Sequence, residues 1–390
     1  MEGATYSFTG TVVTEGLPSN ALIIVASHDS QGESVAGFNF MFGDGSFEMQ
    51  LSPTPTFFFG FNDLNKDLRF QRDEPYGWAA NGQAVGVSSQ SSTNVQIQIT
   101  VDVSDQAPIP EQLVDKPLAE HLNDRLSFSI GTVSALDNPL FSEEQSEKGL
   151  WQPFAFMEDG GAGIHFLEPY DPDRIPVLFV HGVNGSPRNF TTLIEQLDHS
   201  RYQAWVYSYP SGLKLAWLAD GMAKFLEILH GQLQFDELHV VAHSMGGLVS
   251  RGGVNLCAQS STCSYLRTYT SISTPWDGVA SARSGVKWAP TVVPVWRDID
   301  PSSDYVTTLF DTPLPTQVPY HLLFGFRQDS IFGSDSSDGV IKLSSQLRHS
   351  AQDQAILVHG YDEDHVSILS NELVMKQVYD ILAGTPGGDE

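Results

Sequence analysis

The stretch HVVAHSMGGLV, residues 239–249, constrains the fold of this chain more than any other. Its apolar run ends at Ala242, Ser244 follows, and the small residue Gly246 opens a pattern typical of a helix. A serine between a strand and a helix lies on a sharp turn whose neighbours must be small, because the strand and the helix pack closely there. The turn directs the N–H of Met245 toward any negative charge that develops beside the serine. We therefore predict that Ser244 is a nucleophile, with an ordinary turn N-capped by this serine as the alternative.

Strand-like and helix-like segments alternate from residue 174 onward. Six runs have the character of strands: PVLFVHG, QAWVYSY, ELHVVAHS, YLRTYTSIS, YHLLFGF and QAILVHG. Such alternation favours βαβ units and a mostly parallel sheet. The apolar runs are continuous rather than alternating, as in strands that helices cover on both faces. The predicted class is therefore α/β, with a doubly wound sheet.

Residues 1–104 are predicted to form a small all-β accessory domain. Short runs rich in β-branched and aromatic residues are separated by turns of Gly, Asn, Asp, Ser and Pro, without a helical pattern. The pattern favours a β-sandwich and resembles the immunoglobulin-like or transthyretin-like modules that precede secreted bacterial enzymes. The prolines and charges that follow indicate a linker over 105–125, which leaves 126–390 for a second domain.

Five motifs resemble the bacterial lipase and serine-esterase branch of the α/β-hydrolases, and also the enzymes that remove acyl chains from glycosylphosphatidylinositol anchors. These motifs are VLFVHGVNGSP, VVAHSMGG, ISTPWDG, SSDGVI and DHVSIL, and the similarity covers roughly residues 150–383. The resemblance implies an α/β-hydrolase domain. It also implies the hydrolysis of acyl esters through an acyl-enzyme, without a cofactor.

The resemblance further implies a catalytic triad in the chain order Ser, acid, His. After Ser244, Asp338 follows the strand YHLLFGF and His365 follows the last strand. The loops that carry Asp338 and His365 leave the same edge of the sheet as the serine, because parallel strands share one direction. A serine hydroxyl becomes a good nucleophile only when a base takes its proton, and a carboxylate holds that base in the correct tautomer.

Other residues near the predicted acid and base are possible alternatives. Asp335 lies three residues before Asp338, but the Gly and the apolar residues after Asp338 fit the motif set better. His359 is predicted to pack at the end of the last strand. The two aspartates that flank His365 are too close in sequence to orient its ring easily.

The loop after VLFVHG is predicted to complete an oxyanion hole. In this fold that loop supplies one backbone donor, for which the candidate is the N–H of Val183, and Met245 supplies the other. His181, Gly182 and Gly246 are expected to support the site, His181 by orienting the loop through a hydrogen bond.

The segment 276–318 is predicted to be a lid-like insert. It contains the apolar runs VKWAPTVVPVW and YVTTLF, which could line a pocket for an acyl chain. Loops on this side of such sheets often close over the substrate. A structural cap that never moves is the alternative.

Charge restricts the partners of this chain. It carries 47 acidic and 20 basic residues, a formal net charge of −27. Repulsion from phosphates argues against nucleic acid and against anionic membrane surfaces. No run is long enough to span a bilayer, and no signal peptide is visible at the N-terminus. The expected partner is a small acyl ester or lipid, and the partner of the sandwich is left open.

The two cysteines, Cys257 and Cys263, lie close together in NLCAQSSTCSYL. A local disulfide is slightly favoured over two separate thiols and would indicate an oxidising compartment. With the family resemblance, this favours an extracytoplasmic protein that is secreted, periplasmic or attached to the surface.

A candidate calcium loop lies in the predicted β-domain. Asp63, Asn65, Asp67 and Glu74 occupy positions 1, 3, 5 and 12 of an EF-hand-type loop. Position 6 is Leu68, where Gly is needed, and no helical pattern flanks the loop. A solvated acidic turn is therefore preferred. The calcium ligands of some related lipases are not recognisable, so no metal is predicted.

The main prediction is a carboxylic ester hydrolase of the lipase or esterase type. The same triad also serves an acyltransferase, in which an alcohol receives the acyl group. A catalytically silent surface binding protein is the third hypothesis, since a fold alone never establishes a function. The complete set of Ser, Asp and His argues against silence, because an inert fold has no chemical need for all three.

Overall fold

The computed structural model describes residues 6–14, 21–42, 45–51, 54–64, 69–86, 92–99, 108–116, 128–259, 264–282, 293–327 and 336–384. The chain divides into two compact units. The first comprises Met1–Leu126 with Trp288–Pro294, and the second comprises Ser127–Lys287 with Val295–Glu390.

The first unit consists of β-strands in its described part. These strands are β1 (Tyr6–Thr14), β2 (Ala21–Ser27), β3 (Val35–Phe42), β4 (Gly45–Leu51), β5 (Phe57–Asp63), β6 (Tyr76–Trp78) and β7 (Ser92–Ile99). In one sheet β1 pairs antiparallel with β4 and parallel with β7, and in the other β3, β2, β5 and β6 are antiparallel neighbours. A short 3-10 helix spans Ala80–Gly82.

The two sheets of the first unit share one aromatic and aliphatic core. Phe8 of β1 and Phe47 of β4 approach Phe58 of β5, with ring centroids 5.2 Å and 6.3 Å apart. Rings at such separations pack favourably beyond the area that they bury. The prediction of a small β-sandwich is therefore confirmed.

Residues 108–116, which fall within the predicted linker, pack against the first unit. Val114 forms a bridge with Phe70, and Leu113 is buried. Trp78 donates its indole N–H to the carbonyl oxygen of Pro108 at 2.8 Å. This part of the segment is therefore held by side-chain and backbone contacts.

The second unit is built on a sheet of eight strands in the described residues. They are β8 (Phe128–Val133), β9 (Ala162–Phe166), β10 (Ile175–Val180), β11 (Tyr202–Ser208), β12 (Leu238–His243), β13 (Leu266–Ile272), β14 (Tyr320–Phe326) and β15 (Leu357–Asp362). Their order is β15-β14-β13-β12-β10-β11-β9-β8. The six strands from β15 to β11 are parallel, and β9 joins them antiparallel.

Helices connect these strands. They are α1 (Glu143–Trp151), α2 (Pro153–Glu158), α3 (Thr191–Glu195), α4 (Leu215–Leu233), α5 (Met245–Gln259), α6 (Pro294–Asp298), α7 (Asp304–Thr308), α8 (Leu343–Gln346), α9 (His349–Gln352) and α10 (Glu372–Ala383). Short 3-10 helices span Pro139–Phe141, Pro187–Phe190 and Ser367–Ser370. No helix of the described chain is both long and apolar enough to cross a membrane.

Helices cover both faces of this sheet. Val206 of β11 belongs to a core that includes Val374 and Val378 of α10. The next residue, Tyr207, points to the opposite face, where its hydroxyl donates to Leu218 of α4 at 2.9 Å. The prediction of a doubly wound α/β sheet is confirmed. The continuous apolar runs of its strands follow from this double burial.

One prediction about the sheet is wrong. His359 was expected to pack at the end of the last strand, but it is exposed. Among the described residues β15 pairs only with β14 and forms an edge of the sheet. An edge strand keeps less of its surface covered than a central one, so the histidine faces solvent with Tyr361 as its ring neighbour at 4.7 Å.

Cys257, in α5, is disulfide-bonded. The chain has one other cysteine, Cys263, which lies outside the described residues. The insert 276–318 contributes α6 and α7, while 283–292 also lie outside the described part. Whether this insert moves as a lid remains a prediction.

Candidate active site

Ser244 lies on a strained turn between β12 and α5. Its φ is 54°, in the left-handed region that is costly for residues other than glycine. Its N–H donates to the carbonyl oxygen of Ile272 at 2.9 Å, and its own carbonyl accepts from Gly247 at 3.0 Å. Backbone strain of this kind persists where the surrounding structure fixes it, often at functional sites.

The glycines around Ser244 are required by close approach. A Cβ at Gly246 would overlap the carbonyl oxygens of Val180 and His181. A Cβ at Gly182 would lie 2.8 Å from the Cβ of Ser244 and 3.2 Å from its Oγ. These two glycines therefore leave room for the turn and for the serine side chain.

We expect Gly182→Ala to lower kcat/KM for an ester by about 10²-fold without loss of the fold, because a nucleophile displaced by roughly 1 Å loses its productive geometry. The added methyl meets the serine side chain itself. Gly231→Ala is the matched control, since a Cβ there has no neighbour within 4 Å. Ester kinetics and thermal melting on both variants test this, and unchanged kinetics in Gly182→Ala would contradict it.

The structure brings Ser244, His365 and Asp338 together in one hydrogen-bonded chain. The Oγ of Ser244 lies 2.8 Å from Nε2 of His365, and Nδ1 of His365 lies 2.7 Å from Oδ2 of Asp338. The three residues are 5%, 8% and 0% exposed. Asp335 lies outside the described residues. The geometry matches the arrangement that activates a serine hydroxyl.

The loop of Asp338 is fixed by its own backbone. Its Oδ1 accepts the N–H groups of Val340 at 3.0 Å and Ile341 at 2.6 Å, and its carbonyl oxygen accepts from the N–H of His365 at 2.9 Å. These bonds leave Oδ2 to accept from Nδ1–H of His365. The imidazole then keeps Nε2 as the acceptor for the serine hydroxyl.

The candidate oxyanion donors belong to Met245, directly after the serine, and to Val183, directly after Gly182. Among the described residues, the N–H groups of Val183 and Met245 donate to no protein acceptor. The neighbouring Asn184, with φ at 51°, donates its N–H to Oγ of the buried Ser211 at 3.0 Å. Ser211 was not identified from the sequence, because it lies 27 residues away and no local pattern marks it.

His181 is buried and structural in this arrangement. Its Nδ1 lies 2.9 Å from the carbonyl oxygen of Gly182, and its ring stacks on Tyr209 with centroids 4.2 Å apart. The hydroxyl of Tyr209 donates to the carbonyl oxygen of His181. Burial lowers the pKa of His181 to about 4, so the ring is neutral near pH 7.

Two further residues touch the loops that carry Asp338 and His365. His243, directly before the serine, has its Nε2 2.7 Å from the carbonyl oxygen of His365. Gln346 is buried, and its amide bonds both the N–H and the carbonyl of Gly325 and the carbonyl of Ile341 beside the acid loop. Sequence reasoning missed both, since their partners are far apart along the chain.

Acid should unfold the protein, because burial lowers the pKa of five histidines. The value falls from the ordinary 6.5 to about 4 in His165, His181, His239 and His321, and to about 3 in His243. Between pH 6.5 and 4 the unfolded chain binds protons that the folded chain does not, so stability is lost as the pH falls through this window.

The melting temperature should therefore drop steeply below about pH 6.5, with an uptake of up to roughly five protons on unfolding near pH 5. Melting curves across pH, analysed for proton uptake, measure this. His321→Gln should remove about one proton from the uptake. A melting temperature that stays flat from pH 7.5 to 5 would contradict the expectation.

The calcium candidates are only partly described. Asn65 and Asp67 lie outside the described residues, and Asp63 and Glu74 are buried. The carboxylate of Glu74 accepts the N–H of Leu64 at 2.8 Å and of Gln71 at 3.0 Å. No group of potential metal ligands occurs among the residues that could be searched.

One stretch of the chain matches a known family. Residues 175–252 match a family described as the α/β hydrolase fold. No curated protein matches the sequence. Together with the strand order, this match supports the α/β-hydrolase fold that the motifs predict.

Several solved structures resemble the chain distantly. The mature form of lipase BlEst2 from Bacillus licheniformis is 18% identical over 56% of this chain and 97% of its own, with a TM-score of 0.45. Lipase B of Aspergillus fumigatus is 15% identical over 58% and 57%, with a TM-score of 0.43. Phospholipase PlaB of Legionella pneumophila is 17% identical over 44% and 45%, with a TM-score of 0.37.

Proposed function

We propose that this protein hydrolyses carboxylic esters, as a lipase or esterase does, through an acyl-enzyme on Ser244. The observation that carries the proposal is the unbroken series of hydrogen bonds from Oγ of Ser244 through the His365 ring to Asp338. The distance of 2.8 Å between Oγ of Ser244 and Nε2 of His365 falls within the range of about 2.6–3.2 Å expected of a nucleophile and its base.

The first half of the reaction forms the acyl-enzyme. Oγ of Ser244 attacks the ester carbonyl while Nε2 of His365 takes its proton, and the carbonyl electrons move onto the oxygen. The N–H groups of Val183 and Met245 stabilise this oxyanion. When the bond to the alcohol breaks, His365 returns its proton to the leaving oxygen, and Asp338 stabilises the transient imidazolium.

The second half regenerates the enzyme. A water molecule gives a proton to Nε2 of His365 while the water oxygen attacks the acyl carbon. The collapse of this intermediate releases the acid, and His365 returns the proton to Oγ of Ser244. An alcohol in place of water would give acyl transfer with the same residues.

Exposed apolar side chains beside the site favour an apolar acyl group or a lipid. Val183, Val340 and Val366 are 38%, 60% and 62% exposed. Val183 follows Gly182, Val340 follows the acid by two residues, and Val366 follows the base directly. Apolar surface next to a site commonly marks the contact with an apolar ligand.

Release of p-nitrophenol from a chain-length series of esters tests the proposal. We expect turnover by the wild type, with a preference for one range of chain length that reports the acyl pocket. Adding an alcohol and measuring the ratio of ester to acid in the products separates acyl transfer from hydrolysis. No turnover of any ester, together with no labelling by a fluorophosphonate, would favour the silent binding protein instead.

We also infer an extracytoplasmic location. The disulfide bond of Cys257 supports it, because such bonds persist mainly in oxidising compartments. Thiol titration of the denatured, unreduced protein should find no free thiol, and two free thiols in protein isolated from its natural host would contradict the inference.

A further inference from the structure

We propose that His243 is a positioning residue for the base His365, an inference that rests on the proposed function. His243 ends β12 and immediately precedes the nucleophile. Its Nε2 donates to the carbonyl oxygen of His365 at 2.7 Å, and the two rings lie 4.8 Å apart. One side chain thus ties the strand that carries Ser244 to the loop that carries its base.

This hydrogen bond is one of two that hold the backbone of the base. The N–H of His365 donates to the carbonyl oxygen of Asp338, and the carbonyl of His365 accepts from His243. Loss of the second bond frees the loop on the side of the nucleophile. The separation between Ser244 and the imidazole is then fixed less closely from the side of the nucleophile.

The donor must also be neutral. His243 is buried, and its surroundings include His365, Asp338 and His181. Burial, with a smaller electrostatic contribution from His365, lowers the pKa of His243 to about 3. A neutral ring does not repel the imidazolium that forms on His365 during each turnover, whereas a cation at this distance would disfavour it. The requirement is therefore for an uncharged N–H donor of this size.

The experiment compares His243→Gln, which keeps an uncharged N–H donor, with His243→Met, which has a similar volume and no donor. Both are measured for ester kinetics, for the rate of fluorophosphonate labelling and for melting temperature. We expect His243→Met to lower kcat and the labelling rate by about 10- to 100-fold with little change in KM. In His243→Gln, kcat and the labelling rate should fall by no more than about threefold.

The outcomes separate this inference from the proposed function. A fully active His243→Met, or equal losses in both variants, would overturn the positioning role while wild-type turnover leaves the ester hydrolase intact. A wild type that neither turns over esters nor reacts with the fluorophosphonate would overturn the proposed function itself. If His243→Met fails to fold, His243→Asn replaces it. The shorter side chain of asparagine keeps the polar amide but moves the donor away from the carbonyl oxygen of His365. Wild-type kinetics in His243→Asn would equally overturn the positioning role of His243.

Discussion

Ser244→Ala should reduce kcat/KM for p-nitrophenyl esters by about 10⁴- to 10⁶-fold and leave the fold intact. The substitution removes the attacking oxygen, so no acyl-enzyme can form. The turn should survive, because its backbone bonds to Ile272 and Gly247 do not involve the lost hydroxyl. Steady-state kinetics and melting temperature of the purified variant measure both effects.

Ser302→Ala is the matched control for this substitution. Ser302 is exposed, and its hydroxyl donates to the side chain of Asp300. The Ser302→Ala variant should hydrolyse esters at the wild-type rate. If Ser244→Ala kept more than a hundredth of wild-type activity while Ser302→Ala behaved normally, another group would have to be the nucleophile.

Asp338→Asn should lower kcat by about 10⁴-fold, because it selects the wrong tautomer of the base. The N–H groups of Val340 and Ile341 both point at Oδ1, so the amide oxygen of an asparagine must occupy that position. Its NH₂ group then faces Nδ1 of His365 and donates to it. The imidazole proton is forced onto Nε2, where it opposes the hydroxyl of Ser244 and cannot accept its proton.

Asp362→Asn tests whether this loss is specific. Asp362 is an exposed carboxylate three residues before His365, and the same loss of one negative charge there should change kcat by less than about threefold. Comparable losses in both variants would mean that charge near the loop, and not the tautomer, limits the rate. Wild-type kcat in Asp338→Asn would remove Asp338 from the triad.

The sequence predicted what is encoded locally. The turn at Ser244 is marked by small residues within a few positions of it, and the parallel strands are marked by continuous apolar runs. Chain order then brought Asp338 and His365 to the same edge of the sheet. Each of these signals depends on a short segment or on the shared direction of parallel strands, which is why reasoning from one sequence reached them.

Features that depend on tertiary contacts escaped this reasoning. The bond between His243 and His365 joins residues 122 positions apart. Ser211 follows another strand and bonds the N–H of Asn184, beside Val183. The exposure of His359 depends on which strand forms the edge of the sheet. The residues of a single strand do not reveal its place in the strand order. The roles of Val183 and Met245 remain predictions, since they concern an oxygen atom that only a substrate supplies.

The most direct test of the central claim is to identify the residue that a fluorophosphonate modifies. The wild-type protein is labelled, digested and analysed by tandem mass spectrometry, with Ser244→Ala treated in parallel. The account predicts one adduct per chain, on Ser244, that is absent from the variant. An adduct on a residue other than Ser244 would contradict this account. Ester turnover by the Ser244→Ala variant after treatment with the fluorophosphonate, or by a wild type that carries no adduct, would also contradict it.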